Sequence, residues 1–256
     1  MNDASSADIA FITVTVNDIN DQTPTYNSAD TTPNVNEGTS TVEANVAITD
    51  SDTVDSNTCS LGGTDSDDFT CTVTATAYTL AFTNTPNYEA PTDSNSDNVY
   101  SVSVTINDGA QNGNTITYTV SVEDQNEFSP IFGDADGDGE SSTATATPNE
   151  NQQAVGTYAA TDADGSATQT YSVSGGADQA LFSVATGGVL TFDSAPNYED
   201  EICGGDNSCV VVLQVTDGAN TDTITVTVNL QDVNEFSPVF GDADGDGESS
   251  TATATP

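Results

Sequence analysis

Hard oxygen ligands recur at one kind of place in this chain. Asp124-Gln125-Asn126-Glu127 and Asp232-Val233-Asn234-Glu235 each put two carboxylates and an amide within four residues, and a proline, Pro130 or Pro238, follows. Asp18-Ile19-Asn20-Asp21, followed by Pro24, is a third copy. Calcium takes about six to eight such oxygens at roughly 2.3–2.6 Å. A short acidic linker stiffened by proline would repel itself as a bare peptide, whereas a bound dication would turn it from a hinge into a strut.

The rest of the chain sharpens this demand. It has 256 residues with 41 Asp+Glu, no Lys, no Arg and no His, a formal charge of −41. No side chain can neutralise a carboxylate, so a compact fold needs cations from solution. The same composition removes the electrostatic footprint for nucleic acid or anionic membrane. It also excludes lysine Schiff bases, P-loops and histidine acid–base chemistry. Paired carboxylates alone could hydrolyse glycosides, but only the linker acids recur or cluster, so an enzyme is not expected. There is no apolar run of about 18 residues to insert in a membrane.

The acids stand in register with an internal repeat. Asn20, Asn126 and Asn234 mark periods of 106 and 108 residues (126 − 20 and 234 − 126). In the same register Asp50-Ser-Asp52 matches Asp162-Ala-Asp164, and Asp108-Gly109 matches Asp217-Gly218. Glu37 matches Glu150, and Asn87-Tyr88-Glu89 matches Asn197-Tyr198-Glu199. The chain divides as residues 1–24 (last strand and linker of a preceding repeat), 25–128 and 129–236 (two full repeats) and 237–256 (opening of a following repeat). It reads as a piece of a longer tandem array.

Strands must position these acids. Ile116, Tyr118, Val120 and Val122 alternate with polar residues, as do Ile224, Val226, Val228 and Leu230, and Ala10, Ile12, Val14 and Val16. Period two places one face on a core. Val102, Val104 and Ile106 predict another strand, and Val210–Val215 a more buried one. About seven short strands per repeat, with turn signals between, indicate a β-sandwich. Cys59/Cys71 and Cys203/Cys209 are close in sequence and read as two disulfides, hence an oxidising, extracellular setting.

Motifs in this order resemble cadherin repeats: an early glutamate, a D-x-E triplet, a D-x-N-D linker, then D-x-D and an x-D-x-G turn in the next repeat. The resemblance covers both full repeats and both partial ones. It implies an all-β chain of tandem Greek-key, immunoglobulin-like sandwiches joined by calcium-binding linkers. It further implies up to about three calcium ions at a junction. At the middle junction the ligands would be Glu37, Glu89, Asp124, Asn126, Glu127, Asp162, Asp164 and Asp217, whose seven carboxylates compare with six positive charges on three calcium ions. Asp18, Asn20, Asp21, Asp50, Asp52 and Asp108 would form half a site, and Glu150, Glu199, Asp232, Asn234 and Glu235 the other half of another. The triplet reads Asn-Tyr-Glu here, so one carboxylate of the outermost ion site is an amide, and Glu127 and Glu235 stand where Asp is commoner.

Asp134-Ala-Asp136-Gly-Asp138-Gly139 resembles the first half of an EF-hand loop, but its twelfth position is Thr145 rather than glutamate. Two readings stand, an added metal site or an acidic insertion. The following SSTATATP is either an edge strand or an O-glycosylated stretch. The implied function is a calcium-rigidified segment of an extracellular adhesin, of the kind found on large microbial surface proteins, with like repeats or a surface or cell ligand as partners. The alternative is a subunit of an extracellular filament, joined by strand addition and shared calcium sites.

Overall fold

Threonine, serine and valine dominate the alternating segments, and in the structure they pair into sandwiches. The computed structural model describes residues 10–28, 30–52, 56–133, 142–165 and 168–237. The chain divides into two units, Met1–Gln125 and Asn126–Pro256.

In the first unit the strands are β1 (Thr25–Tyr26), β2 (Asn34–Asn36), β3 (Thr41–Thr49), β4 (Thr58–Gly62), β5 (Phe69–Val73), β6 (Ala77–Phe82), β7 (Val99–Asn107) and β8 (Asn112–Glu123). They form two sheets, β1-β3-β6-β5 and β2-β8-β7-β4. The opening strand is split: β1 pairs antiparallel with β3 in one sheet, and β2 crosses to pair parallel with β8 in the other. Tyr100↔Val120, Val102↔Tyr118 and Val104↔Ile116 face each other across β7 and β8 and point into the core. Phe69 and Phe82 stack at 4.5 Å, with Tyr100 edge-on to both.

The second unit repeats the plan with β9 (Ile131–Phe132), β10 (Thr143–Ala146), β11 (Ala154–Thr157), β12 (Ala160–Thr161), β13 (Thr170–Gly175), β14 (Phe182–Ala185), β15 (Val189–Phe192), β16 (Ser208–Thr216) and β17 (Thr221–Asn229). β9 pairs antiparallel with β12, and β10 pairs parallel with β17 at the edge of β10-β17-β16-β13. The Thr-Ala segment is therefore an edge strand. The run Val210–Val215 alternates after all: Val211, Leu213 and Val215 are fully buried, while Val210 and Val212 are half-buried on the outer face.

Both disulfides form as read. Cys59 on β4 and Cys71 on β5 join the neighbouring edges of the two sheets of the first unit, with Cα atoms 6.1 Å apart. Cys203–Cys209 closes the turn leading into β16 and is buried.

Ala10–Val16 departs from expectation. Its apolar side chains are exposed, Val14 by 76% and Val16 by 89%, and it joins no ladder among the described residues. Alternation makes a strand only where a neighbour supplies hydrogen bonds and a core, and β8 and β17, its counterparts, each find both inside their own sandwich.

Among the described residues, almost all the acids lie outside the strands. The described strands hold only three acids, Glu43, Glu123 and Asp222. The charge is thus carried by the connections, and the sites are built there.

Candidate metal centre

Each unit carries two acid cradles, one at each end of the final strand pair. The first is organised by the β-hairpin turn. In the second unit Asp217 Oδ1 accepts the backbone N–H groups of Ala219 (2.7 Å) and Asn220 (2.6 Å), and Gly218 takes the left-handed φ of +101° that closes the β16–β17 hairpin. One carboxylate oxygen is consumed by the turn and the other is aimed away from it. Asp164 Oδ2 accepts Phe128 N–H (2.9 Å), which ties the Asp162–Asp164 bend to the segment entering the unit. Asp162, Asp164 and Asp217 each place an oxygen within 4.8 Å of the others.

In the first unit Asp108, Asp50 and Asp52 stand at the matching places and make matching bonds. Asp108 Oδ1 accepts Ala110 and Gln111 N–H, and Asp52 Oδ2 accepts Asp21 and Gln22 N–H. The Asn20 amide donates to the Asp108 carbonyl at 2.9 Å. Asp18 is exposed.

The amide in the linker has two uses. With its nitrogen turned inward, Asn126 donates to Asp164 Oδ2 (3.3 Å) and Asp217 Oδ2 (3.0 Å). Turned outward, the nitrogen donates to the Asp217 carbonyl (3.4 Å) and the oxygen faces the carboxylates. The first arrangement braces like charges; the second offers a metal one more oxygen.

The second cradle is organised by a buried glutamate. Glu150, just after β10, is 3% exposed. Its two oxygens accept the N–H groups of Tyr198 (2.8 Å) and Val233 (2.8 Å). They thereby draw the Asn197-Tyr198-Glu199 triplet and the strand exit toward one point. Glu150, Glu199, Asp232 and Glu235 each supply an oxygen within 4.8 Å of the rest; Asn234 is exposed. With its nitrogen inward, Asn197 reaches Glu199 Oε2 (2.8 Å) and Glu150 Oε2 (3.1 Å). In the first unit Glu37 accepts Tyr88 N–H (2.8 Å) and Gln125 N–H (2.8 Å) in the same way, with Glu89 completing the triplet and Asp124 following β8. Glu127 opens the second unit and is exposed.

Two kinds of observation test whether these residues suit a divalent cation. Buried oxygens lack donors: Asn20 Oδ1, Asp50 Oδ2, Asp108 Oδ2 and Asp162 Oδ2 accept no hydrogen bond from the described residues. Such atoms are rare unless something else satisfies them. The protonation balance agrees. Asp217 is held below the usual carboxylate range by Asn220 N–H, then Ala219 N–H, against the cost of burial. Glu150 is lowered by Tyr198 and Val233 N–H. Burial opposes ionisation of Asp108, but the N–H groups of Gln111 and Ala110 and the Asn20 amide outweigh it. Glu235 is raised, by desolvation first and then by the charges of Glu150, Glu199 and Asp232. The donor set is all oxygen, anionic and preoriented, which fits calcium.

A pH dependence follows for the protein in EDTA. The lowered groups contribute stability that is present above their unfolded values, near pH 4, and lost as pH falls through their folded ones. Glu235 acts oppositely: its raised value means that ionisation opposes the fold, so acidification from neutrality first relieves it. The unfolding temperature is expected to rise slightly as pH falls from about 7 toward the top of the carboxylate range, then to drop below about 4. A steady decline from neutrality would contradict this arrangement.

The acid register was legible in sequence. Two residues that brace the cradles were not: Asn98 and Asn207, whose side chains donate to the carbonyls of Tyr88 (2.9 Å) and Tyr198 (2.7 Å). Their signal is the pair Asp97-Asn98 and Asp206-Asn207 at the repeat period, just before or at the start of β7 and β16. Asp134, Asp136 and Asp138 lie outside the described residues.

No family model and no curated protein matches the chain. Solved structures do. The extracellular cadherin domains 1-4 of protocadherin gamma B7 superpose with a TM-score of 0.62 at 18% identity, over 85% of this chain and 53% of that one. Human protocadherin-24 EC1-2 gives 0.59 at 16% identity, over 82% and 98%. Mouse cadherin-23 EC22-24 gives 0.60 at 18%, over 84% and 68%. The chain spans about half the length of the protocadherin gamma B7 chain. At these identities the likeness concerns the fold, and the fold of this chain, in both its units, is that of cadherin extracellular repeats.

Proposed function

We propose that this chain is a calcium-binding segment of an extracellular adhesion protein, in which calcium at the ends of each sandwich stiffens a tandem array. The observation that carries the proposal is the hairpin cradle repeated in both units, where buried carboxylate oxygens of Asp50, Asp108 and Asp162 accept no hydrogen bond from the described residues, in a chain with no cationic side chain. Glu37, Glu89 and Asp124 lie before the Gln125–Asn126 boundary, and Asn126, Glu127, Asp162, Asp164 and Asp217 after it. Calcium held by both sets would restrict that linker. Asp18, Asn20, Asp21, Asp50, Asp52 and Asp108 would serve the preceding junction, and Glu150, Glu199, Asp232, Asn234 and Glu235 the following one. The bound ion supplies positive charge and a coordination shell; the residues supply position. Asn197 stands where a carboxylate would serve the outermost position and, with its nitrogen inward, bridges Glu150 and Glu199 instead, so fewer than three calcium ions are expected there. Like repeats, in this chain or in other copies, are the proposed partners.

Solution scattering on the chain tests this. In about 2 mM calcium, above the weak end of extracellular affinities, an extended monomer is expected, becoming a flexible pair of domains in EDTA. Identical profiles in both conditions would overturn the proposal. A second reading, a filament joined by strand addition, is favoured by the exposed apolar row Ile12, Val14 and Val16. It requires a mass that grows with concentration in the same experiment.

A further inference from the structure

Both units close the same ring of bonds around the second cradle, and the ring runs through an asparagine that is no ligand candidate. In the second unit Glu150 holds Tyr198 N–H. The Tyr198 carbonyl accepts the Asn207 side-chain amide at 2.7 Å. The Asn207 carbonyl accepts Leu230 N–H at 2.9 Å. Three residues along the chain from Leu230, Val233 N–H returns to Glu150. In the first unit the ring is Glu37, Tyr88, Asn98, Val122 and, three residues further on, Gln125, which returns to Glu37.

We infer that Asn98 and Asn207 are positioning residues for the cation sites: each clamps the triplet bearing Glu89 or Glu199 to the strand that delivers Asp124 or Asp232. This rests on the calcium reading above. The clamp needs one residue to do two jobs. Its backbone is left-handed, with φ of +62° at Asn98 and +56° at Asn207, a conformation open to Asn and Gly but costly for most others. Its side chain must also donate to a carbonyl, which Gly cannot do. Asn207 is 6% exposed, so no water readily replaces that donation. An asparagine placed there only for its backbone would have no reason to reach the ligand triplet in both units. Loss of an outer-sphere contact of this kind typically weakens metal binding about 10- to 100-fold.

Asn207→Gly keeps the left-handed backbone and removes the clamp. The test is a calcium titration of the full chain followed by amide NMR, because Tyr198 N–H reports the second-unit cradle and Tyr88 N–H the first-unit one. In Asn207→Gly the Tyr198 midpoint is expected to rise about tenfold while the Tyr88 midpoint stays in place; Asn98→Gly should do the reverse. The thermal midpoint in EDTA checks that each variant folds, and Asn207→Asp, which keeps size and backbone but cannot donate, gives a second reading if Asn207→Gly does not. Midpoints unchanged in folded variants would overturn the inference and leave calcium binding intact. A wild-type chain whose amides ignore calcium would overturn the calcium reading itself, and the inference with it.

Discussion

In EDTA the chain is expected to unfold on the order of 10 °C below its midpoint in about 10 mM calcium. Extracellular calcium sites with dissociation constants near 10⁻⁴–10⁻³ M would each stabilise the fold by roughly 1.4–2.7 kcal/mol at that concentration. A domain of this size shifts by about 4–8 °C per kcal/mol. The sign follows from the charge: nothing in the chain offsets 41 carboxylates, and the described ones are gathered in the connections rather than spread over the strands. Salt alone should recover part of the loss by screening exposed charges. It should not recover all of it, because buried oxygens such as Asp50 Oδ2 and Asp162 Oδ2 need a ligand rather than a screened field. Superimposable melts in calcium and in EDTA, at about 0.15 M sodium chloride, would refute the calcium assignment.

Glu150→Ala is expected to destabilise the second unit even without calcium, by about 5–10 °C in its EDTA midpoint. Glu150 is more than a ligand candidate. Its oxygens are the acceptors for Tyr198 and Val233 N–H, and an orphaned buried amide costs roughly 1–3 kcal/mol. The substitution also removes one of the four carboxylates that crowd this cradle, a relief that lessens the loss without reversing it. Glu199→Ala supplies the contrast, since Glu199 is exposed and is reached by the Asn197 side chain rather than by the backbone N–H groups that Glu150 gathers. It should leave the EDTA midpoint nearly unchanged and weaken only calcium binding. Differential scanning calorimetry of both variants, with and without calcium, separates the two roles. Equal EDTA midpoints for Glu150→Ala and Glu199→Ala would show that Glu150 is not the hub.

Much of this arrangement was visible before any coordinate. Strands β8 and β17 follow from alternation alone, because one buried face forces a period of two. The aspartates of the hairpins, Asp108 and Asp217, were visible as repeated Asp-Gly turns. Their aim was not, since it depends on which oxygen the turn consumes. The split of the opening strand into β1 and β2 was hidden, because TYNSADTTPNVNEG carries too few apolar residues to show a register. Ala10–Val16 shows the opposite failure: the pattern is strong, but a pattern supplies no partner. For Asn98 and Asn207 the repeated Asp-Asn pair marks the place but not the role, because their bonds join residues 10 and 9 apart to a third segment, a closure that a linear pattern does not show.

The split opening strand also decides how each sandwich answers a pull. β2 lies parallel to β8, and β10 parallel to β17, so the first and last strands of a unit run side by side in the same direction. Tension entering at the start of one and leaving at the end of the other acts along the strands and loads their cross-links in shear. Bonds sheared together share the force and fail as a group, whereas antiparallel terminal strands would peel apart one bond at a time. The crossover of a strand of three residues in the first unit and four in the second thus makes each unit a tension-bearing link.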